Sequence, residues 1–183
     1  MFRKTIVIVI AAVALAMSAY AAGVDKDNLK EYGRGIIKDY SDMNEDEGIE
    51  WVWLRSGVRL SEHRFKLNKS FENLTTVTDD DMEEVLNKTL PRTLDRAGSK
   101  DSAAPVLRVE GAIYWAERAN RSKRWIPYAG GHLAQAGLGI ELVIRDGKGD
   151  IVCKIRHSGR EGDDLDDAAE ELLEDISKYV KGN

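Results

Sequence analysis

The stretch Gly137-Leu138-Gly139-Ile140-Glu141-Leu142-Val143-Ile144-Arg145-Asp146-Gly147-Lys148-Gly149-Asp150-Ile151-Val152-Cys153-Lys154-Ile155 decides the fold. Leu138, Ile140, Leu142 and Ile144 alternate with Gly139, Glu141, Val143 and Arg145, which is the two-residue period of a strand. Asp146 to Asp150 supplies glycines for a tight reversal, and Ile151, Cys153 and Ile155 continue on one face of a second strand. The two strands make a hairpin.

Outward from that hairpin the period changes. On its C-terminal side Leu165, Ala168, Ala169, Leu172, Leu173, Ile176 and Tyr179 or Val180 line one face of a final helix. Asp166, Asp167, Glu170, Glu171, Glu174 and Asp175 hold the other, a solvated face with acids near the helix start. On its N-terminal side, Leu107, Val109, Ile113 and Trp115 alternate with Arg108 and Glu110, the pattern of a strand with one wet face. Before that strand, Met82, Val85, Leu86, Leu90 and Leu94 keep an i, i+3, i+4 rhythm, so a helix packs one face on a sheet. Thr78 and Asp79 to Asp81 offer its cap and acidic first turn, Pro91 should kink it or end it early, and Gly98 closes it as a left-handed cap. Earlier still, Phe65, Leu67 and Phe71 recur at even spacing, and Ile49-Glu50-Trp51-Val52-Trp53-Leu54 reads as a strand buried on both faces, with Ile49, Trp51 and Trp53 on one side. The expected fold is α/β, with a mixed sheet in the order strand, helix, strand, hairpin, helix and its helices on one face. The crossover pair is parallel and the following meander antiparallel.

At the other end of the chain, Arg3 and Lys4 precede a charge-free run from Thr5 to Met17, and Ser18-Ala19-Tyr20-Ala21 ends in an A-x-A cleavage signal. The apolar run is about 13 residues against the roughly 20 that span a bilayer, so residues 1–21 read as a cleaved secretory signal peptide. The mature chain then begins at Ala22 and is periplasmic; an uncleaved signal tethering it to the inner membrane is the alternative. Residues 22–48 are polar, with an acidic cluster at Asp42, Glu45, Asp46 and Glu47, and read as a loosely held N-terminal arm. Residues 49–183 form a single α/β domain, a length that buries roughly 70% of its unfolded surface without disulfides.

Loss of Arg3 and Lys4 takes the formal charge from −5 to −7. An acidic, exported chain is a poor nucleic-acid partner, because Lys and Arg neutralisation of phosphates supplies most of that affinity. The sole cysteine, Cys153, cannot form an intrachain bridge, and it falls in phase with Ile151 and Ile155 as a buried thiol. It lies far from the cleavage point, where a lipoprotein signal would need it. His63, His132 and His157 are too scattered for a zinc spacing. Ser61-Glu62-His63 unites three catalytic residue types along the chain, yet a triad is assembled in space and no Gly-x-Ser-x-Gly elbow is present. Gly130-Gly131 to Gly139 lacks the Lys-Ser/Thr of a phosphate loop. No cofactor, metal or catalytic residue is therefore expected. The segment that stands out is Arg118, Arg121, Lys123 and Arg124 with Trp125 and Tyr128, cations interleaved with aromatics on an acidic molecule. Such groups suit anionic headgroups at a membrane surface or an acidic patch on an envelope protein complex. The functional expectation is a non-enzymatic binding protein of the cell envelope; a hydrolase or transferase with an unrecognised cleft is the runner-up.

The element order, together with the Gly-rich segment before Gly137-Leu138-Gly139-Ile140-Glu141 and Asp146, resembles the bacterial envelope domain-of-unknown-function families 4410 and 3313. Trp51-Val52-Trp53-Leu54-Arg55-Ser56-Gly57-Val58-Arg59-Leu60-Ser61 resembles the opening strand, Pro-Gly and Leu-Ser of the second family, with Ser56 where a proline is usual. The resemblance spans residues 49 to 181. It implies a small exported protein whose fold is related to the N-terminal domain of the TolB translocation protein and to curli-secretion assembly proteins. Members are often lipoproteins, and this chain lacks their lipobox cysteine. They share no agreed catalytic residues, so the resemblance assigns none here.

Overall fold

Strands form where the two-residue period runs, and the sheet they build has two covered faces. The computed structural model describes residues 23–46, 48–77, 82–120, 122, 125 and 134–183. Among these, seven strands make one mixed sheet: β1 (Asn44–Asp46), β2 (Ile49–Leu54), β3 (Arg64–Leu67), β4 (Glu72–Asn73), β5 (Val106–Glu117), β6 (Ala136–Arg145) and β7 (Ile151–Glu161). Their order is β1-β2-β7-β6-β5-β3, with β4 also on β5. The expected hairpin is β6-β7, antiparallel, with Glu141 opposite Arg156 and Leu142 opposite Ile155. The crossover pair β3-β5 is parallel, with Phe65 opposite Leu107. The sheet is mixed for the reason read from the sequence: a helix between two neighbouring strands returns the chain in the same direction, whereas a short turn reverses it.

Three helices are present among the described residues: α1 (Lys26–Glu31), α2 (Met82–Ala97) and α3 (Leu165–Gly182). α2 and α3 pack side by side on one face of the sheet. Met82, Leu86, Leu90 and Leu94 of α2, with Leu172, Ile176 and Val180 of α3, meet Val109, Ile113, Leu138, Ile140, Leu142 and Ile155 in the main core. The capping residues expected at 78–81 lie outside the described residues. Asp164 caps α3 through its side chain, which accepts a hydrogen bond from the Asp167 N–H (3.0 Å).

Three local expectations are corrected. Pro91 does not end α2 early, and the helix runs on to Ala97; buried Leu90 and Leu94 flank the missing N–H and hold the helix to the sheet across it. Gly98 does follow the helix, but not with a left-handed backbone, since its φ is not among the positive ones. Glycine is needed there because an added Cβ would run into the His63 carbonyl and come within 2.8 Å of the Phe65 ring. Finally, the face assignments of Trp115 and Ile151 are reversed by bulges. The β5-β6 register shifts between Ile113 and Trp115, and the β6-β7 register shifts between Ile144 and Arg145. Each extra residue turns the side chains beyond it to the opposite face. Val152 therefore joins Cys153 and Ile155 in the main core, and Ile151 packs on the far side.

That far side is where the polar N-terminal segment lies, and it is not loosely held. Asn44–Asp46 adds an antiparallel strand to β2. Val24, Ile37, Tyr40 and Met43 are buried in a second cluster with Val143, and Trp51, Trp53, Leu29, Ile36 and Ile151 pack against it. Met43 is fully enclosed. Burial of such a side chain is worth about 1.5–3 kcal/mol, so a few well-placed apolar residues suffice to seat an otherwise polar segment. Ile49 goes to the helix-side core, apart from Trp51 and Trp53.

Candidate functional site

Beneath the arm lies a buried ion pair. Glu141 of β6 and Arg156 of β7 are cross-strand partners on the arm side of the sheet, and both side chains are 0% exposed. Arg156 Nη1 donates to Glu141 Oε1 (2.6 Å). Its Nε and Nη2 donate to Asn28 Oδ1 (3.1 and 2.9 Å), and Nη2 also donates to the Gly33 carbonyl (2.9 Å). The guanidinium lies 3.6 Å from the centre of the Tyr114 ring and 5.8 Å from that of Tyr40. Glu141 in turn accepts from the Ile37 N–H at Oε2 (2.8 Å) and from the Tyr40 hydroxyl at Oε1 (2.9 Å). Gly35 passes so close that any Cβ there would collide with the Glu141 carboxylate.

Every arm group in this network comes from residues 28–40. Two charges removed from water are tolerable only when paired and otherwise hydrogen-bonded, and here the arm supplies the remaining partners. The constellation is therefore a clasp. Its carboxylate accepts from three donors, and its guanidinium donates to Glu141, Asn28 and Gly33. Burial and the adjacent Glu141 push the Tyr40 hydroxyl up to about 12. Sequence reading missed the clasp because Glu141 and Arg156 occupy positions that alternate with the core, where polar residues ordinarily face water. The usable signal was the apolar content of that same face, at Trp51, Trp53, Val143 and Tyr114, which requires a cover.

At the end of the sheet where β5 and β6 part, Arg160 donates to Glu117 Oε2 (2.6 Å) and lies 4.5 Å from the Trp115 ring centre. Trp115 makes an edge contact with Tyr32, with centroids 5.0 Å apart. The Ser158 hydroxyl is directed to Glu50, 2.9 and 3.0 Å from its two oxygens. Tyr114 is buried, and burial pushes its pKa well above the ordinary phenol value.

Serine, histidine and acid do occur together at Ser158, His157 and Asp175, and their geometry is not that of a nucleophile and base. His157 Nδ1 receives the Glu50 N–H (3.4 Å) and Nε2 faces Asp175 Oδ2 (3.4 Å) on the α3 side, while the Ser158 hydroxyl points to Glu50. Successive strand residues face opposite ways, so the two side chains cannot share a proton. Ser61 and Glu62 lie on a single 3-10 turn, and His63 Nδ1 is 2.7 Å from the Arg59 carbonyl. His132 is outside the described residues. Cys153 is fully buried, as its place beside Ile155 led one to expect, and burial pushes its thiol up. A groove of about 470 Å³ beside α3 is lined by Glu161, Glu170, Glu171, Glu174, Asp175 and Lys178. Among the described residues no group of three His, Cys, Asp or Glu is placed to hold a metal ion.

The basic-aromatic segment occupies the β5-β6 connection. Its neck is closed by the Asn120 N–H donating to the Ala134 carbonyl (3.0 Å). Arg118 is exposed just beyond β5, and Trp125 is 81% exposed. Arg121, Lys123, Arg124 and Tyr128 lie outside the described residues.

The fold thus defines a class, a mixed α/β sheet with two long helices on one face and an N-terminal segment clasped to the other. No family model and no curated protein match the chain. Among solved structures it is similar to the PelC dodecamer from Paraburkholderia phytofirmans, at 13% identity over 71% of this chain and 94% of that one, with a TM-score of 0.50. A point variant of that dodecamer aligns over the same shares at 14% identity and a TM-score of 0.45. The likeness is one of fold.

Proposed function

We propose that the protein is exported to the periplasm by its cleaved leader and works there by binding rather than catalysis, presenting the β5-β6 connection to an anionic membrane surface. The observation that carries this reading is Trp125, a large indole left 81% exposed directly after a run of cations on an acidic chain. An exposed tryptophan has a hydrophobic area to bury and a polar N–H to keep wet, which an interfacial environment satisfies at once. Each neighbouring Lys or Arg adds about 1 kcal/mol at an anionic surface. A protein complex of the envelope with an acidic patch would use the same side chains. The reading extends to self-assembly, supported by the dodecameric state of the structures that share the fold.

The test is co-sedimentation of the exported protein with phosphatidylglycerol vesicles and with neutral phosphatidylcholine vesicles. Wild type should pellet with the anionic vesicles and be released by salt. Replacing Arg121, Lys123 and Arg124 with glutamate should abolish pelleting, and Trp125→Ala should weaken it. Undiminished pelleting of the triple variant overturns the proposal. Wild type that ignores both vesicles, yet retains an envelope protein which the triple variant loses, moves the contact from lipid to protein. Intact mass of the exported chain tests the leader, since cleavage requires a start at Ala22.

A further inference from the structure

The two edges of the sheet carry opposite charge. At one edge, residues 42–48 contain Asp42, Glu45, Asp46 and Glu47 and no cation. β1 itself is exposed along its whole length. At the opposite edge, β3 and the residues after it, 64–71, contain Arg64, Lys66 and Lys69 and no acid. All three of these cations are exposed. β1 and β3 are the terminal strands of the sheet order among the described residues, so each presents a row of backbone groups on its outer side.

Charged edges usually protect a sheet, because two copies offering the same sign repel each other. Here the signs differ, and that protection is lost for one arrangement only. Like edges repel in a two-fold pair, whereas the β1 edge of one copy attracts the β3 edge of the next. We infer that β1 and β3 are the two halves of a head-to-tail contact between copies of this chain, with Glu45 and Asp46 of one copy set against Arg64 and Lys66 of its neighbour. The contact is heterologous, so it propagates from copy to copy and closes as a ring when the rotation per copy divides a full turn. This inference rests on the self-assembly reading above and supplies the surface for it.

Charge exchange tests it. The exported protein is purified as wild type, as Glu45→Lys with Asp46→Lys, and as Arg64→Glu with Lys66→Glu, and the mass of each is read by sedimentation velocity. In the first variant β1 and β3 each carry two cations, and in the second each carries two acids, so each variant should fall from the assembled mass to that of one copy. An equimolar mixture of the two again pairs unlike edges throughout and should regain the assembled mass. That recovery also shows that both variants are folded. Variants that keep the wild-type mass, or a mixture that stays monomeric while both variants give native circular dichroism, overturn the edge contact. Wild type that is monomeric at every concentration overturns the self-assembly reading itself.

Discussion

Replacing Arg156 with methionine keeps most of the side chain's length and removes its charge, leaving Glu141 as a carboxylate with no counter-ion in a site closed to water. The substitution deletes the hydrogen bonds to Glu141, Asn28 and Gly33. Breaking a buried pair from one side costs about 3–5 kcal/mol, which is a large part of the 5–15 kcal/mol that holds a typical domain together. With a urea dependence of about 2 kcal/mol per molar, the unfolding midpoint should fall by roughly 1.5–2.5 M. Part of that cost can be relieved by lifting the arm and admitting water to Glu141. Trypsin should therefore cut at Lys26, Lys30, Arg34 or Lys38 in the native variant well before it does so in wild type. The double variant Glu141→Leu with Arg156→Met should be more stable than either single one, because it leaves no unpaired charge behind. A midpoint for Arg156→Met within about 0.5 M of wild type, or single costs that simply add in the double variant, would refute the clasp.

Three further outcomes rest on close contacts and burial. An added Cβ at Gly139 would sit 2.6 Å from Tyr114 Cζ, whereas one at Gly147 meets nothing; Gly139→Ala should cost about 1–3 kcal/mol by thermal or urea unfolding, and Gly147→Ala under about 1 kcal/mol. Cys153 should resist iodoacetamide in the native protein and alkylate fully in denaturant, as read by mass; rapid native labelling would contradict its burial. Tyr40 is raised from 10.0 to about 12, so its neutral form is the one favoured by folding. Its contribution is intact below pH 10 and is lost as pH rises from 10 towards 12, and Tyr40→Phe should flatten that part of the stability-against-pH curve.

The sheet's connectivity was legible because it rests on patterns that survive any packing. The β6-β7 hairpin announces itself through period two and a glycine turn, and α2 and α3 through stripes that need a sheet to lie on. What could not be read depends on contacts distant in the chain. A bulge costs a single residue of register and leaves no mark in composition, yet it moved Trp115 and Ile151 to the opposite face. Pro91 obeyed its local chemistry, losing a bond, and was overruled by Leu90 and Leu94. The arm looked unstructured because its apolar residues follow no period: Val24, Ile37, Tyr40 and Met43 seat it one by one rather than as a strand or helix. At the β5-β6 connection the sequence named the cations and aromatics, and the structure adds the exposure of Arg118 and Trp125.

The clasp also orders events during biosynthesis. Ile37 and Glu141 are 104 residues apart, and Asn28 and Arg156 are 128 apart. A ribosome thus completes the arm long before either of its charged partners exists, and the first stretch of the domain to be made is among the last to find its place. A chain halted short of β7 lacks Arg156 and with it the hold on Asn28 and Gly33, so closure of this layer waits until synthesis has passed β7.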